Sequence, residues 1–263
     1  MNTYPLAVTD TATMLRRNLR RARRYPSLTL FIAGIPVVFL LLFVFVLGGT
    51  LGAGLGGLAG GRAEYTAYVL PGILMVTVAG AGQGTAISVA MDMAEGIIAR
   101  FRTMAVARSS VLAGHVIGSV IQTMLAIVIV MIVAVLIGFR STTGPVEWVA
   151  AAGLLVFTAV AISWLSVALG LVSKSVETAS NLPMFLVILP FLSSGFVPTD
   201  SMPDGLSWFA ENQPFTPLIE TVRGLLLGTP IGTSGLLAVG WCVGISIVGY
   251  LWARRLYDRD PAS

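Results

Sequence analysis

The sequence has few charged residues and few of the side chains that build catalytic or metal centres. Only 11% of its 263 residues are charged and 56% are hydrophobic, whereas a typical soluble domain is about 25% charged. The single cysteine, Cys242, excludes a disulfide framework, and the single histidine, His115, excludes a multi-histidine metal site. Several apolar runs reach the ~20 residues that cross a bilayer, so the composition alone indicates a membrane protein.

Motifs that bind nucleotides or perform hydrolysis are also missing. The sequence contains no G-x-x-x-x-G-K-S/T phosphate loop, no G-x-S-x-G elbow and no H-E-x-x-H helix. The run GAGLGG satisfies G-x-G-x-x-G but lacks the flanking strand and helix, which favours a flexible linker. None of the 12 acidic residues lies in the middle of an apolar run. Since ion-coupled transporters generally use an ionisable group within the membrane, this argues against secondary transport.

The apolar runs predict an all-α integral membrane protein with six transmembrane helices in one domain, residues 28–252. The predicted spans cover about residues 28–47, 67–91, 112–139, 149–172, 182–196 and 235–252. The fifth is short and contains two prolines, which predicts a bent helix. In the second span Gly80, Gly84 and Ser88 form a stripe of small residues, which predicts close approach by another helix.

Residues 1–27 are polar and strongly basic, and they predict an amphipathic helix at the membrane surface. Six arginines gather on one helical side and apolar residues on the other, which suits a basic face toward anionic headgroups. A secretory signal is the competing interpretation, because a basic segment before an apolar run has that form too. The apolar run is longer than a usual signal core and no small-residue cleavage site follows, which favours an uncleaved first span.

The basic residues are distributed unequally between the two sides of the predicted bundle. Six spans place both termini on one side, and that side holds 13 of the 16 lysines and arginines. The other side holds only Arg62, Arg140 and Arg223. The positive-inside rule therefore predicts a multi-pass protein of the cell membrane with cytoplasmic termini, residues 253–263 forming a cytoplasmic tail.

Residues 92–107 predict a short amphipathic helix on the cytoplasmic side, between the second and third spans. At about 100° per residue its apolar and charged side chains separate into two faces. The apolar face holds Ile97, Phe101 and Met104, and the charged face holds Asp92, Glu95, Arg100 and Arg102. Arg108 would fall on the apolar face, so we expect the helix to end just before it. The pattern leaves two interpretations open, a surface that docks another protein and a loop lying on lipid headgroups.

Residues 197–228 are too broken to span a membrane and too apolar to form a free loop. They mix prolines and acidic residues with leucine, tryptophan and phenylalanine. We expect short re-entrant helices that dip into the outer leaflet or pack over the bundle.

The sequence GIIARFRTMAVARSSVLAGH and the glutamate before it resemble a loop of a known family. The loop follows the second span in permeases of type-2 ATP-binding-cassette (ABC) exporters, which include the daunorubicin-resistance permeases. The family pattern has Glu-Gly, Arg-x-Arg, Pro-x-x-Arg and Leu-x-Gly, and it matches at Glu95, Gly96, Arg100, Arg102, Arg108, Leu112 and Gly114. Ala105 stands in place of the family's proline, a departure that affects the local turn.

A second stretch, LSSGFVPTDSMPDGLSWFAENQPFTPLIETVRGLLLG, resembles the same family's signature after the fifth span. The matching residues are Phe196, Pro198, Met202, Pro203, Trp208, Phe209, Pro214, Pro217, Arg223 and Gly224. Where the family commonly has Asn-Pro, this sequence has Gln213-Pro214. With the basic N-terminal helix and the six spans, the resemblance covers nearly the whole chain.

The resemblance implies the permease subunit of an exporter that moves a hydrophobic or amphipathic drug or lipid. ATP and Mg would be bound by a separate cytoplasmic ATPase, with no cofactor in this chain, and a second permease chain would complete the pathway. Residues 1–27 would be a connecting helix, and residues 197–228 would cap the outer end. The loop after the second span would be the coupling helix, which implies ATPase contacts by Glu95, Gly96, Ile97, Arg100, Phe101, Arg102, Met104 and Arg108.

The second and fifth spans are the expected lining of the pathway, with Gln83, Asn181 and Phe185 as candidates. Each could equally be a packing residue, and for Gln83 a hydrogen bond between helices is favoured over a substrate contact. Two other functions remain open, a membrane scaffold or assembly factor and, less favoured, an ion-coupled transporter.

Overall fold

The part of the chain that the structure describes is helical throughout. The structure is a computed structural model that describes residues 26–48, 61–96 and 108–258, with residues 26–31, 61–62 and 108–111 described by their backbone alone. No β-strand occurs within these ranges. The predicted N-terminal connecting helix lies outside the described residues, apart from its last two positions.

Four helices come first, and most of their residues are apolar. Helix α1 spans Pro26–Leu41 and continues as a π-helical turn over Leu42–Leu47, α2 spans Gly61–Ala94, α3 spans Arg108–Leu136 and α4 spans Pro145–Val172. Proline suits the first position of α4, because its fixed φ matches the helix and the N–H it lacks would have no partner there.

The chain after α4 is broken into short pieces before the final helix. Helix α5 spans Val176–Asn181, α6 spans Met184–Ile188, and 3-10 turns cover Leu189–Leu192 and Thr199–Ser201. Helix α7 spans Asp204–Asn212, α8 spans Phe215–Leu227 and α9 spans Ser234–Asp258. The predicted bent fifth span, residues 182–196, therefore contains the short helix α6 and a 3-10 turn, with Pro183 just before α6 and Pro190 in the turn.

Four helices in the described ranges are long and apolar enough to cross a membrane. They cover Ala63–Ala94, Leu112–Leu136, Pro145–Val172 and Ser234–Asp258. Two shorter apolar stretches, Ile32–Leu47 and Val176–Leu192, overlap the predicted first and fifth spans. The described residues thus support an all-helical membrane protein, and the count of six spans stays a prediction.

The long helices alternate in direction, so the bundle has two ends. The Glu95 end is where α2, α4 and α9 finish and α3 begins. At the opposite end, the Arg223 end, Arg223 of α8 binds the backbone of Tyr68 near the start of α2. The hydroxyl of Ser141, which follows α3, donates to Leu226 O of α8 at 2.7 Å.

The apolar core lies along α2, which is surrounded by other helices. Leu70, Ile73, Leu74 and Met75 are fully buried, and Ile219 of α8 is buried in the same cluster. Helices α1, α3, α4, α6 and α8 all pack against α2. A helix that is apolar on every side suits this enclosed position.

Helix α4 packs against α2 on one side and α9 on the other, with unusually close approach on both. A Cβ at Gly170 would lie 2.6 Å from Ala86 O in α2, and one at Gly249 of α9 would lie 2.7 Å from Leu165 N in α4. Glycine is therefore required at both positions. On α2 the close contact uses the Ala86 face and not the predicted stripe, since a Cβ at Gly80 would meet no atom within 4 Å.

Helix boundaries differ from the predicted spans most clearly beside the predicted coupling helix. Helix α2 continues to Ala94, so Asp92 belongs to α2 and not to a helix starting at that residue. Helix α3 begins at Arg108, which leaves residues 97–107 between α2 and α3 outside the described residues.

Candidate functional site

Helix α2 ends at the Glu-Gly pair of the first motif. Gly96 has a φ of 69°, in the left-handed region that favours glycine, and its N–H donates to Met93 O at 3.0 Å. The Glu95 N–H donates to Met91 O at 2.9 Å. These bonds satisfy carbonyls at the end of the helix, which gives a physical reason for glycine at this position of the motif.

Most of the predicted coupling residues lie outside the described residues. These are Ile97, Arg100, Phe101, Arg102 and Met104. Of the remaining three, Glu95 is exposed, Gly96 is half-buried, and Arg108 is the first residue of α3. The coupling surface therefore remains a prediction, bracketed by the described ends of α2 and α3.

A buried acid–base pair joins α2 and α3 close to these ends. Asp92 Oδ2 and His115 Nε2 are 3.3 Å apart, and the two side chains are 4% and 5% exposed. The separation is that of an ion pair, without the alignment of a hydrogen bond.

The sequence pattern did not predict this pair. Helical periodicity placed Asp92 on the charged face of the coupling helix, which is wrong because α2 continues past Asp92 and the Asp92 side chain is buried in the bundle. The signal available in the sequence was positional, since an acid and the only histidine flank the same loop.

The Gln83 amide joins α2 to the broken fifth stretch. Its Nε2 donates to Ser180 O in α5 at 2.7 Å. This agrees with the interpretation favoured above, a hydrogen bond between helices. At about 1.5 Å per residue, Gln83 lies about 16 Å from the end of α2, which is near the middle of a hydrocarbon core of about 30 Å.

The other two pathway candidates lie on the surface of the described chain. Asn181 ends α5 and is exposed, and Phe185 of α6 is 48% exposed. Because Asn181 follows Ser180, which binds Gln83, it lies at a similar depth in the bundle. The structure thus brings the three candidates together around the break between α5 and α6.

Three hydroxyl groups link α2, α3 and α4 inside the bundle. Thr85 Oγ1 donates to Ser119 Oγ at 2.6 Å, and Ser163 Oγ donates to the same Ser119 oxygen at 2.9 Å. All three side chains are buried. Interhelical hydrogen bonds of this kind are a common means of helix association in membranes.

Arg223 organises the opposite end of the bundle. Its guanidinium carbon lies 4.1 Å from the centroid of the Tyr68 ring, and Nη2 donates to Tyr68 O at 3.2 Å and to Ser194 O at 2.7 Å. The Tyr68 hydroxyl donates to Ser194 O as well, at 3.1 Å. One signature residue therefore ties α8 to α2 and to the turn after the fifth stretch.

The turn that contains Ser194 packs directly on α2. A Cβ at Gly72 would lie 3.0 Å from Gly195 O and 3.1 Å from Gly195 Cα, so backbone meets backbone there. Phe196 stacks on Phe191 with ring centroids 4.9 Å apart and packs on Phe43 of the π-helical turn at 4.6 Å. Phe196 is therefore a buried packing residue.

The signature prolines lie at the starts of the short helices. Pro198 and Pro203 precede the Thr199–Ser201 turn and α7, Pro214 precedes α8, and Pro217 lies in its first turn. Gly224 allows close packing, because a Cβ there would lie 2.5 Å from Ile231 Cγ1 and 2.9 Å from Thr229 O. These residues shape the segment, and none of them contributes a reactive group.

No chemical centre accompanies these elements in the described ranges. No group of three or more histidine, cysteine, aspartate or glutamate side chains within them is placed to hold a metal ion. What the described residues provide is a helical bundle. At the Arg223 end polar contacts join its short helices, and at the Glu95 end α2 and α3 lead to the predicted coupling segment.

Comparison with known proteins gives consistent matches. The family model for the ABC-2 type transporter matches residues 9–227. The "Daunorubicin resistance ABC transporter permease protein DrrB1" of Streptomyces coeruleorubidus is 29% identical over 261 residues, which cover 97% of this chain and 88% of that relative. The "Probable doxorubicin resistance ABC transporter permease protein DrrC" of Mycobacterium tuberculosis is 24% identical over 163 residues, covering 62% of this chain and 59% of that protein.

The family model covers α1 to α8, and the match to the Streptomyces permease covers nearly the whole chain. The family is one of transporter permease subunits, not of enzymes. The chain belongs to the ABC-2 type transporter family.

Proposed function

We propose that this chain is the membrane subunit of an exporter whose ATP hydrolysis takes place in a separate cytoplasmic ATPase. Membership of the ABC-2 type transporter family carries the proposal. The missing phosphate loop supports it, because energy from ATP then requires a partner with a nucleotide site. The four long apolar helices and two shorter apolar stretches are compatible with six spans. The excess of basic residues at the Glu95 end favours placing that end, and both termini, in the cytoplasm.

The coupling site is proposed at residues 95–108, beside the Glu95 end. Exposed Glu95 and the glycine that ends α2 support this location, since they match the family motif and start the segment on the cytoplasmic side. ATP binding by the partner would draw the coupling segments of two permease chains together. That movement would shift the population toward an outward-open conformer.

The exported substrate is proposed to be hydrophobic or amphipathic, a drug or a lipid. Two relatives are named for resistance to daunorubicin or doxorubicin, which favours a drug. The proposed pathway lies along Asn181 and Phe185, beside Gln83. An exposed amide near the middle of the bilayer would be unfavourable against lipid, so we place a second protein chain or water against it.

A second permease chain is proposed to cover this surface. Helix α1 lies beside the fifth stretch, because Phe39 of α1 packs on Phe191 of the 3-10 turn after α6 with ring centroids 5.3 Å apart. Helix α9 provides the contrast: between Leu236 and Leu251 every exposed residue is apolar or glycine. That face suits lipid, whereas the surface with Asn181 suits a partner.

Association with an ATPase is the first test of the proposal. The chain should co-purify with a phosphate-loop ATPase encoded beside it, and the complex should hydrolyse ATP faster when substrate is added. Glu95→Arg and Arg102→Glu should each reduce export of daunorubicin from cells without lowering the amount of chain in the membrane. Glu211→Arg reverses an exposed charge at the other end and should leave export unchanged. Failure to associate with any ATPase, combined with normal export by both variants, would refute the proposal.

The pathway residues have a separate test. Asn181→Leu and Phe185→Ala should change the daunorubicin concentration that gives half-maximal stimulation of ATP hydrolysis. Leu236→Ala removes a side chain that is 82% exposed on the proposed lipid face and should leave that concentration unchanged. Equal effects of the three substitutions would show that the pathway lies elsewhere.

A further inference from the structure

The Asp92–His115 pair is the one buried polar contact described between α2 and α3 at the Glu95 end. Buried apolar side chains of α2, α3, α4 and α9 form a cluster at this end, with members Val89, Leu112, Val116, Leu171 and Tyr257. Within the described residues Asp92 is also the only buried carboxylate. A carboxylate among apolar groups is costly unless it is compensated, and His115, 3.3 Å away, is placed to do so.

The position of the pair relates it to the proposed coupling segment. Asp92 lies in the last turn of α2, and His115 lies two turns into α3. These helices lead into and out of residues 97–107. A contact between Asp92 and His115 therefore fixes the distance between the end of α2 and the start of α3, and the position of one helix along the other. Residues 97–107 connect these two helix ends.

Apolar packing and a polar pair constrain two helices differently. Apolar contacts are non-directional, so packed helices retain stability when they shift slightly against each other. A buried charge must stay close to the groups that compensate it, and a shift of α2 past α3 would move Asp92 away from His115. Fixing the register of neighbouring helices is the best-attested role of buried polar groups.

We propose that Asp92 and His115 are positioning residues that lock the register of α2 and α3. Through this lock, displacement of the coupling segment moves the two helices as a unit. Because Gln83 lies further along α2 and holds Ser180 of α5, the movement reaches the break beside Asn181 and Phe185. The inference rests on the proposed function. In it, Asp92 and His115 transmit movement of the coupling segment to the helices that line the proposed pathway.

Four variants and a matched control test the lock. Asp92→Leu and His115→Leu each break the contact between the two side chains and should lower the midpoint of thermal unfolding by about 5–10 °C. The double variant Asp92→Leu/His115→Leu should recover part of that loss, since an apolar pair can replace a buried ion pair. Asp92→Asn removes the charge with almost no change in shape. Thr85→Val/Ser119→Ala removes the 2.6 Å hydrogen bond between the same two helices away from the loop.

Transport per ATP hydrolysed is the deciding readout, measured with daunorubicin and the reconstituted permease–ATPase complex. The double leucine variant and Asp92→Asn should bind the ATPase normally and hydrolyse ATP, yet transport several-fold less drug per ATP. The Thr85/Ser119 control should keep the wild-type ratio. A wild-type ratio in the double leucine variant would overturn the proposal, because the pair would then act only by filling space.

Spin labels give a second readout that needs neither the drug nor the ATPase. Cysteines in place of Met93 and Ile117, which are 39% and 37% exposed, report the distance between α2 and α3 when Cys242 is replaced by alanine. The distance distribution should be narrow with Asp92 and His115 present and broader with two leucines. Equally narrow distributions would contradict the lock. A wild-type complex without drug-stimulated hydrolysis would instead contradict the proposed function and leave the spin-label result standing.

Discussion

The two ends of this bundle are held together in different ways. At the Arg223 end the chain is broken into short helices and turns, and directional polar contacts join them. Arg223 binds the Tyr68 and Ser194 carbonyls, and Gln213 Nε2 donates to Leu189 O at 3.1 Å and Leu192 O at 3.3 Å. At the Glu95 end long helices meet through an apolar cluster and the Asp92–His115 pair.

The difference follows from how each end satisfies its backbone. Broken helices leave N–H and C=O groups without partners, and in a membrane only other protein groups or enclosed water can satisfy them. Polar side chains therefore became necessary where the chain breaks. Continuous helices satisfy most of their own backbone, so the Glu95 end is held mainly by side-chain packing, with the Asp92–His115 pair added to it.

The same difference bears on function. A dense set of directional contacts holds the Arg223 end in one arrangement, which suits a cap. An apolar cluster tolerates small shifts of whole helices, and a single polar pair limits which shifts occur. Of the two ends, the Glu95 end is therefore the one that we expect to move as a unit.

Among the substitutions that remove a polar contact, Arg223→Ala should have the largest effect on stability. The substitution leaves the Tyr68 and Ser194 carbonyls without their charged donor, and we expect the free energy of unfolding to fall by about 3 kcal/mol. Arg140→Ala is the control, because Arg140 donates to Val135 O and Phe139 O at the same end but is exposed, and it should cost less than about 0.5 kcal/mol. Unfolding by detergent titration measures both. Equal losses would mean that the polar contacts do not hold this end.

A smaller loss is expected from Gly170→Ala, toward the Glu95 end. The added Cβ would lie 2.6 Å from Ala86 O, so α4 and α2 must move apart, at a cost of about 2 kcal/mol. Gly153→Ala in the same helix meets nothing within 4 Å and should be neutral or stabilising by up to about 1 kcal/mol. The same titration compares them. If Gly170→Ala left the free energy of unfolding unchanged, α2 and α4 would be able to move apart at this end without the expected cost.

Much of the fold could be predicted from apolar runs, because a bilayer demands long apolar helices with satisfied backbones. The long helices correspond to predicted spans, and the prolines of the fifth span marked a real interruption. The contacting face of α2 could not be predicted, because Gly80 and Gly82 look alike in sequence. Only the partner helix distinguishes them: a Cβ at Gly82 would lie 2.6 Å from Ile162 Cγ2, and one at Gly80 in open space.

The two candidate sites differ in how far sequence patterns could predict them. The motif of the Arg223 end is long, and its prolines and glycine have roles that local geometry explains. The buried pair at the Glu95 end was missed because helical periodicity assigned Asp92 to a separate helix. Where α2 ends depends on Gly96 adopting a φ of 69°, and periodicity does not report backbone conformation.

Gly96→Ala tests that helix end and should cost about 1 kcal/mol of unfolding free energy. Among the described residues no atom lies within 4 Å of the added Cβ, so we expect the loss to come from backbone conformation and not from packing. Gly96→Asn is the matched variant, because asparagine adopts the left-handed region more readily, and it should recover part of the loss. Identical losses for alanine and asparagine would point to a steric cause.

The smallest effect on stability should come from Trp208→Ala, although Trp208 belongs to the signature motif. Its side chain on α7 is 68% exposed, so truncation removes little buried surface, and we expect less than about 0.5 kcal/mol in detergent. Phe215→Ala, at a side chain 1% exposed in the same motif, is the contrast and should cost about 3–5 kcal/mol. Detergent titration of both variants separates motif residues that stabilise the Arg223 end from those that face outward. If the loss of unfolding free energy for Trp208→Ala were larger in lipid vesicles than in detergent, this tryptophan would lie at the membrane interface, where tryptophan is enriched. The Arg223 end would then be stabilised by contact with lipid as well.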